Sequence, residues 1–281
     1  MIAPTEETVF ELPVAGGEIV GHRGGSGAPA LVLHGGPGLP DYMAGCAAEL
    51  ADLFSTIRYA QRGVPPTTVG PPYSVDTHVA DAVAVLDGLG IERVWATGHS
   101  WGGHLALHLA VAHPERVEGV VCVCPLGASL EVLAEFKENL LRPLPTERRA
   151  WLAEVEARED AGTATKAESL ASFEAIWPSY FADPAGAPPF PFDAYGDGNP
   201  ETFASIGEHV ERRTLEDGLP GIRARTLFVH GAGDPLPARA STDTAALMPN
   251  AEVVLLDGCG HFPWLEQPGE LRRVVAEFLG R

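Results

Sequence analysis

The chain has 281 residues, 45% of them hydrophobic and 20% charged, which suits one large globular domain or a domain carrying an insertion. Thirty-eight acidic against 19 basic residues leave a formal charge of −19, which argues against nucleic acid or an anionic membrane surface as the main partner and reads as a solvated acidic surface. The opening stretch "MIAPTEETVFELPVAGG" is broken by Pro and Glu, and no stretch approaches the ~18 uninterrupted apolar residues of a spanning helix, so a cytoplasmic protein without membrane attachment is expected.

Short, nearly continuous apolar runs alternate with helical patterns over the first 125 residues. "ALVLH" (Ala30 to His34), "STIRYA" (Ser55 to Ala60), "RVWATG" (Arg93 to Gly98) and "VEGVVCVC" (Val117 to Cys124) read as strands buried on both faces of a parallel sheet. Between them "VDTHVADAVAVLDGLG" repeats its apolar residues at helical spacing and stops at Gly88 and Gly90. Such alternation implies βαβ units. After Pro125 the pattern changes: from about Leu126 to Gly221 helical segments follow one another without convincing strands. Strand patterns resume with "RTLFVHG" (Arg225 to Gly231) and "AEVVLLDG" (Ala251 to Gly258), and "PGELRRVVAEFLG" closes the chain as a helix. The reading is an α/β core at 1–125 and 222–281 with a helical cap inserted at 126–221. Cys122 and Cys124, two apart, should point to one face of their strand, and all four cysteines read as free thiols because none has zinc or redox spacing.

Gly98-His99-Ser100-Trp101-Gly102 matches G-x-S-x-G between a predicted strand and a predicted helix, the context that gives this loose motif meaning. Gly98, Gly102 and Gly103 allow the close strand-helix approach that holds a serine in a strained turn. A serine hydroxyl needs a base, and the base an orienting acid. Asp234 and His261 follow the two late strands in the order Ser, acid, His. Asp257, four residues before His261, is the rival acid and is better read as shaping its turn. "HGGPG" (His34 to Gly38) follows an earlier strand as a glycine-rich loop, so the backbone N–H groups of Gly36 and Trp101 are the proposed oxyanion donors. His104 and His108 have the spacing of a zinc pair but lack the intervening Glu, and read as packed or surface residues; no metal or cofactor is expected. The Trp101 indole is read as packing or as part of the acyl pocket. Phe173, Trp177, Tyr180 and Phe181 fall on one face of a predicted helix, as cap core or as the roof of an acyl pocket.

These residues resemble the α/β-hydrolase superfamily and, within it, the proline iminopeptidase family. "HGGPG", the Gln61-Arg62-Gly63 that follows the next strand, the serine elbow with Trp directly after Ser, and the late "GxxD" and "GxxH" loops carry the resemblance. It implies a mostly parallel central sheet flanked by helices, cleavage of an amino-terminal residue, and recognition of its free amine by carboxylates contributed partly by the cap. Glu201 in "GNPETF" sits at the matching distance before the acid loop, and Trp177 and Tyr180 are candidate substrate contacts. The chain departs from the family at Ala60, where many members have Asp, and at Pro235, where some have Glu. The expected function is therefore a cofactor-independent serine hydrolase acting on a small molecule or short peptide. An aminopeptidase or amidohydrolase comes first, then an esterase, lactonase or tailoring hydrolase, and last a non-catalytic ligand receptor.

Overall fold

The computed structural model describes residues 7–280. In chain order the elements are β1 (Thr8–Val14), β2 (Gly17–Gly25), β3 (Ala28–Leu33), α1 (Ala44–Leu50), β4 (Phe54–Tyr59), α2 (Val75–Gly88), β5 (Val94–His99), α3 (Trp101–Ala112) and β6 (Val117–Val123). Then come α4 (Leu133–Leu141), α5 (Thr146–Asp160), α6 (Lys166–Ile176), α7 (Asn199–Glu211), α8 (Thr214–Gly218), β7 (Arg225–Gly231), α9 (Arg239–Ala245), β8 (Ala251–Leu256), α10 (Pro263–Glu266) and α11 (Glu270–Leu279).

The strands form one sheet in the order β1-β2-β4-β3-β5-β6-β7-β8. From β4 to β8 all neighbours are parallel, as continuous apolar strands demand when helices cover both faces. The antiparallel edge is a hairpin, β1 with β2, that the sequence reading passed over; its turn closes with Val14 opposite Gly17 and Gly16 at φ +90°. Residues of α2, α3 and α9 share one apolar cluster, and residues of α1 and α11 share the other. Helix α3 is buried from Trp101 to Ala110, as a helix apolar all round should be. Leu105 within it is fully buried, and its truncation to Ala would cost about 2–5 kcal/mol.

Strand β6 corrects one expectation. Cys122 joins the α3 side and Cys124 the α11 side, because the strand ends at Val123 and Cys124 turns out of it with φ +44°. All four thiols are free and buried.

Between β6 and β7 the chain forms α4 to α8 and no strand. Helix α6 starts in a capping box, Thr165 with Glu168, and ends at Ile176, where Pro178 enforces a short 3-10 turn over Trp177–Tyr180. The four aromatic residues expected on one helix face therefore straddle that break. Helix α7 packs against α2 and α8 against α3, and Ile206, Leu215 and Leu219 join the core cluster. The remaining helices, α4 to α6, lie over the carboxyl ends of the strands, where β3 meets neighbours reached in opposite directions. Such a switch point is where open α/β sheets bind ligands.

Candidate active site

Ser100 stands between β5 and α3 with φ 54° and ψ −119°, a conformation that costs a non-glycine residue strain and is retained where surrounding structure enforces it. The enforcement is visible in its neighbours. A Cβ on Gly98 would collide with the backbone of Gly102, and one on Gly102 with the carbonyl oxygens of Leu33 and His34. Ser100 N–H donates to Val123 O at 3.0 Å, tying the elbow to β6. Its hydroxyl makes no hydrogen bond among the described residues and opens, with His261, into a shared cavity.

The acid and base loops meet backbone to backbone: Gly233 N–H donates to Cys259 O at 2.8 Å. This brings Asp234 Oδ2 to 2.7 Å from His261 Nδ1, while Oδ1 accepts Leu236 N–H at 2.8 Å. Asp257, the rival acid, is exposed, and its carbonyl caps the Gln267 side chain. Burial among Tyr180, Phe262, Phe136 and His99 pushes the His261 imidazole below its ordinary range. A neutral ring with a free Nε2 is the form that can take a proton. Burial also pushes the Asp234 carboxyl up, opposed by His230, the Leu236 N–H and the Cys124 thiol, each favouring the ionised form.

The N–H groups of Gly36 and Trp101 have no hydrogen-bond acceptor among the described residues, and both residues line the cavity beside Ser100. Gly36 has φ +54°, a conformation that a side chain would strain. Gln61 couples their two segments: its Nε2 donates to His34 O at 2.8 Å, and its Oε1 accepts the Trp101 indole N–H at 2.8 Å. The indole is 1% exposed and packs against His78 and His104. His104 and His108 bond to each other, with His104 also donating to Gly127 O, as packed residues. The metal-like group Cys124, His230 and Asp234 includes the candidate acid itself.

A part of the site without any sequence signal is Glu266. Its carboxylate accepts the N–H groups of Gly260 (2.8 Å), Phe262 (3.1 Å) and Ala182 (2.9 Å), clamping the base loop to the segment after the 3-10 turn. His261 N–H also donates to Tyr180 O at 2.8 Å. The link from Glu266 to Ala182 spans 84 residues, which no local pattern reports.

The cavity holds about 940 Å³. Leu133, Phe136, Phe173, Ile176, Tyr180 and Phe262 make its apolar wall, and Glu156, Glu159, Asp160 and Asp197 bring carboxylates to it. Lys166 is the one Lys or Arg among its described lining residues, and its ammonium lies 2.6 Å from Asp197. Tyr180, one of the expected substrate contacts, lines the cavity. Two other expected contacts do not. Trp177 is buried outside it, its indole donating to Pro188 O at 2.8 Å, because the chain turns at Pro178. Glu201 is exposed in the first turn of α7, where the helix dipole favours an acid, and does not line the cavity.

Comparisons with known proteins agree with this architecture. The chain is 29% identical to 2-hydroxymuconate semialdehyde hydrolase of Pseudomonas putida over 92% of its own length and 89% of the relative's. It is 26% identical to a proline iminopeptidase of Lactobacillus delbrueckii subsp. bulgaricus, covering 90% of each chain. The crystal structure of proline iminopeptidase from Mycobacterium smegmatis superposes with a TM-score of 0.69 at 26% identity, over 97% of this chain and 98% of that one. Residues 29–268 match the alpha/beta hydrolase fold family, and the chain belongs to that family.

Proposed function

We propose that the protein is a serine hydrolase that cleaves an amide or ester through an acyl-enzyme, as a proline iminopeptidase-like aminopeptidase or amidohydrolase under a cap formed by part of residues 126–221. In this reading His261 Nε2 takes the Ser100 proton as the hydroxyl oxygen attacks the substrate carbonyl. Asp234 accepts a hydrogen bond from Nδ1–H, which stays on the ring, and stabilises the imidazolium, while the N–H groups of Gly36 and Trp101 receive the oxyanion. His261 then gives the proton to the leaving nitrogen or oxygen, and a water activated by the same imidazole releases the acyl group.

The observation that carries the choice of substrate is the charge of the cavity. Four acidic residues line it; Glu156 and Asp197 are ion-paired with Lys137 and Lys166, while Glu159 and Asp160 have no cationic partner among the described residues, so an amine-bearing substrate is favoured and an anionic one repelled. That counts against the dienoate acids named for some relatives. With Glu201 outside the cavity, the amine-recognising acids are Glu156, Glu159, Asp160 or Asp197. The test is labelling with a fluorophosphonate, followed by paired alanyl and prolyl reporters with free and acylated amines. Labelling at Ser100 and hydrolysis of only the free-amine reporters is the expected result. Equal rates on both members of each pair would replace the aminopeptidase reading with that of an esterase, lactonase or tailoring hydrolase.

A further inference from the structure

His99 precedes the nucleophile, is fully buried, and has a hydrogen bond at each ring nitrogen. Its Nε2 lies 2.8 Å from the carbonyl oxygen of His261, and a carbonyl can only accept, so Nε2 carries the hydrogen. Burial beside His261 holds this ring in its neutral form, so Nδ1 is an acceptor. The group facing it at 2.6 Å is the Tyr42 hydroxyl, which must donate. The Tyr42 oxygen in turn accepts the N–H of Gly35 at 2.9 Å. The direction of every bond is thus settled, running from Gly35 through Tyr42 and His99 to the His261 backbone.

Each end of that chain belongs to a different part of the candidate site. Gly35 adjoins the oxyanion donor Gly36, His99 adjoins Ser100, and the last acceptor is the base's own carbonyl. The fit is close, since a Cβ at Gly35 would collide with the Tyr42 hydroxyl, His99 O and Ser100 Cβ. The Tyr42 ring is held edge-on by Phe192 and stacked on Trp264, so the hydroxyl has little freedom to reorient. Buried hydrogen bonds in series polarise one another and are expensive to leave half made.

We infer that Tyr42 and His99 are positioning residues for acyl transfer, a single hydrogen-bond chain that keeps the oxyanion loop, the serine elbow and the base loop in register. The inference rests on the serine hydrolase reading. Neither side chain is asked to exchange a proton with substrate. Losing the Tyr42 hydroxyl unpairs Gly35 N–H and His99 Nδ1 together, and losing the His99 nitrogens unpairs Tyr42 and the His261 carbonyl. Because the links act as one unit, the second break adds little to the first.

The experiment compares the full-length protein with Tyr42→Phe, His99→Leu, the double variant and His99→Gln, whose amide offers one acceptor and one donor. Ser100 labelling by a fluorophosphonate, and kcat and KM on an alanyl reporter, are the readouts. Tyr42→Phe and His99→Leu should each lower kcat and the labelling rate about 10- to 100-fold, as misplacement of reacting groups does. KM should stay within about twofold, the double variant should be no slower than the worse single one, and His99→Gln should recover most of the rate. Unchanged rates, multiplicative losses in the double variant, or an effect confined to KM would overturn the inference. If Tyr42→Phe does not fold, the two His99 variants decide alone: recovery in Gln supports the chain, and equal loss in both removes it. Failure of the unaltered protein to label at Ser100 strikes the hydrolase reading instead, which keeps the two failures distinct.

Discussion

At the floor of the cavity the Asp234 and His261 side chains are 0% and 3% exposed, and the bonds that orient them come from within the protein; at the rim, Lys166 and Asp197 meet in an ion pair with both side chains more than 60% exposed. Burial makes the floor bonds costly to break and fixes the geometry of the reacting groups. Exposure makes the rim bonds cheap, screened by salt and easily exchanged. Under the proposed function the floor would decide whether bonds are broken, and the rim which molecules arrive. Substitutions can separate these two roles.

The largest effect belongs to the floor. Asp234→Asn should cost about 10⁴-fold in kcat by presenting the wrong hydrogen-bonding group to His261 Nδ1, with the circular dichroism spectrum unchanged. Acidification comes next. In the proposed mechanism His261 works as the neutral ring, so activity should fall as pH drops through its pKa; burial lowers that pKa, so the acid limb of kcat/KM should lie below the ordinary imidazole value of about 6.5, losing about tenfold per pH unit beyond it. An acid limb above that value would contradict the burial argument.

Glu266→Gln probes the boundary between the two regions. Three N–H groups face this carboxylate, and an amide has one oxygen and two hydrogens of its own, so at least one buried donor loses its acceptor. A stability loss of about 1–3 kcal/mol is expected by thermal melting, with a fall in kcat as the base loop loosens. The smallest effect is at the rim. Glu159→Gln combined with Asp160→Asn should raise KM for a free-amine reporter by about two- to fivefold, leave an amine-blocked one unchanged, and lose its effect in high salt.

Much of the floor was legible in the sequence, and the reason is local. Strands buried on both faces are runs of Val, Leu and Ile, and a strained serine turn needs small residues within a few positions, as at Gly98, Gly102 and Gly103. The pairing of Asp234 with His261 was legible because each follows a readable strand. The hairpin was missed because "TVFELPV" alternates polar and apolar residues around Pro13, where the central strands are continuous. The break at Pro178 removed Trp177 from the expected face, although the proline itself was in view. Tyr42, His99 and Glu266 each have a partner far along the chain: His99 for Tyr42, the His261 carbonyl 162 residues away for His99, and Ala182 for Glu266. No spacing rule reports such contacts, and the acids facing the cavity from α5 depend in the same way on how the helices cross.

The Glu266 clamp also bears on how a substrate reaches Ser100. Tyr180 O is bonded to His261 N–H, and Ala182 N–H shares the carboxylate that holds Gly260 and Phe262, so lifting the 3-10 turn would drag the base with it. That side of the helical segment is fixed to the loop that carries His261. Opposite it, the loop carrying Asp197 is held by two backbone bonds to Gly38 and Gly63 and is joined to α6 through the exposed Lys166 pair. A cation arriving at this rim finds Asp197 already paired, and must compete with the Lys166 ammonium for it.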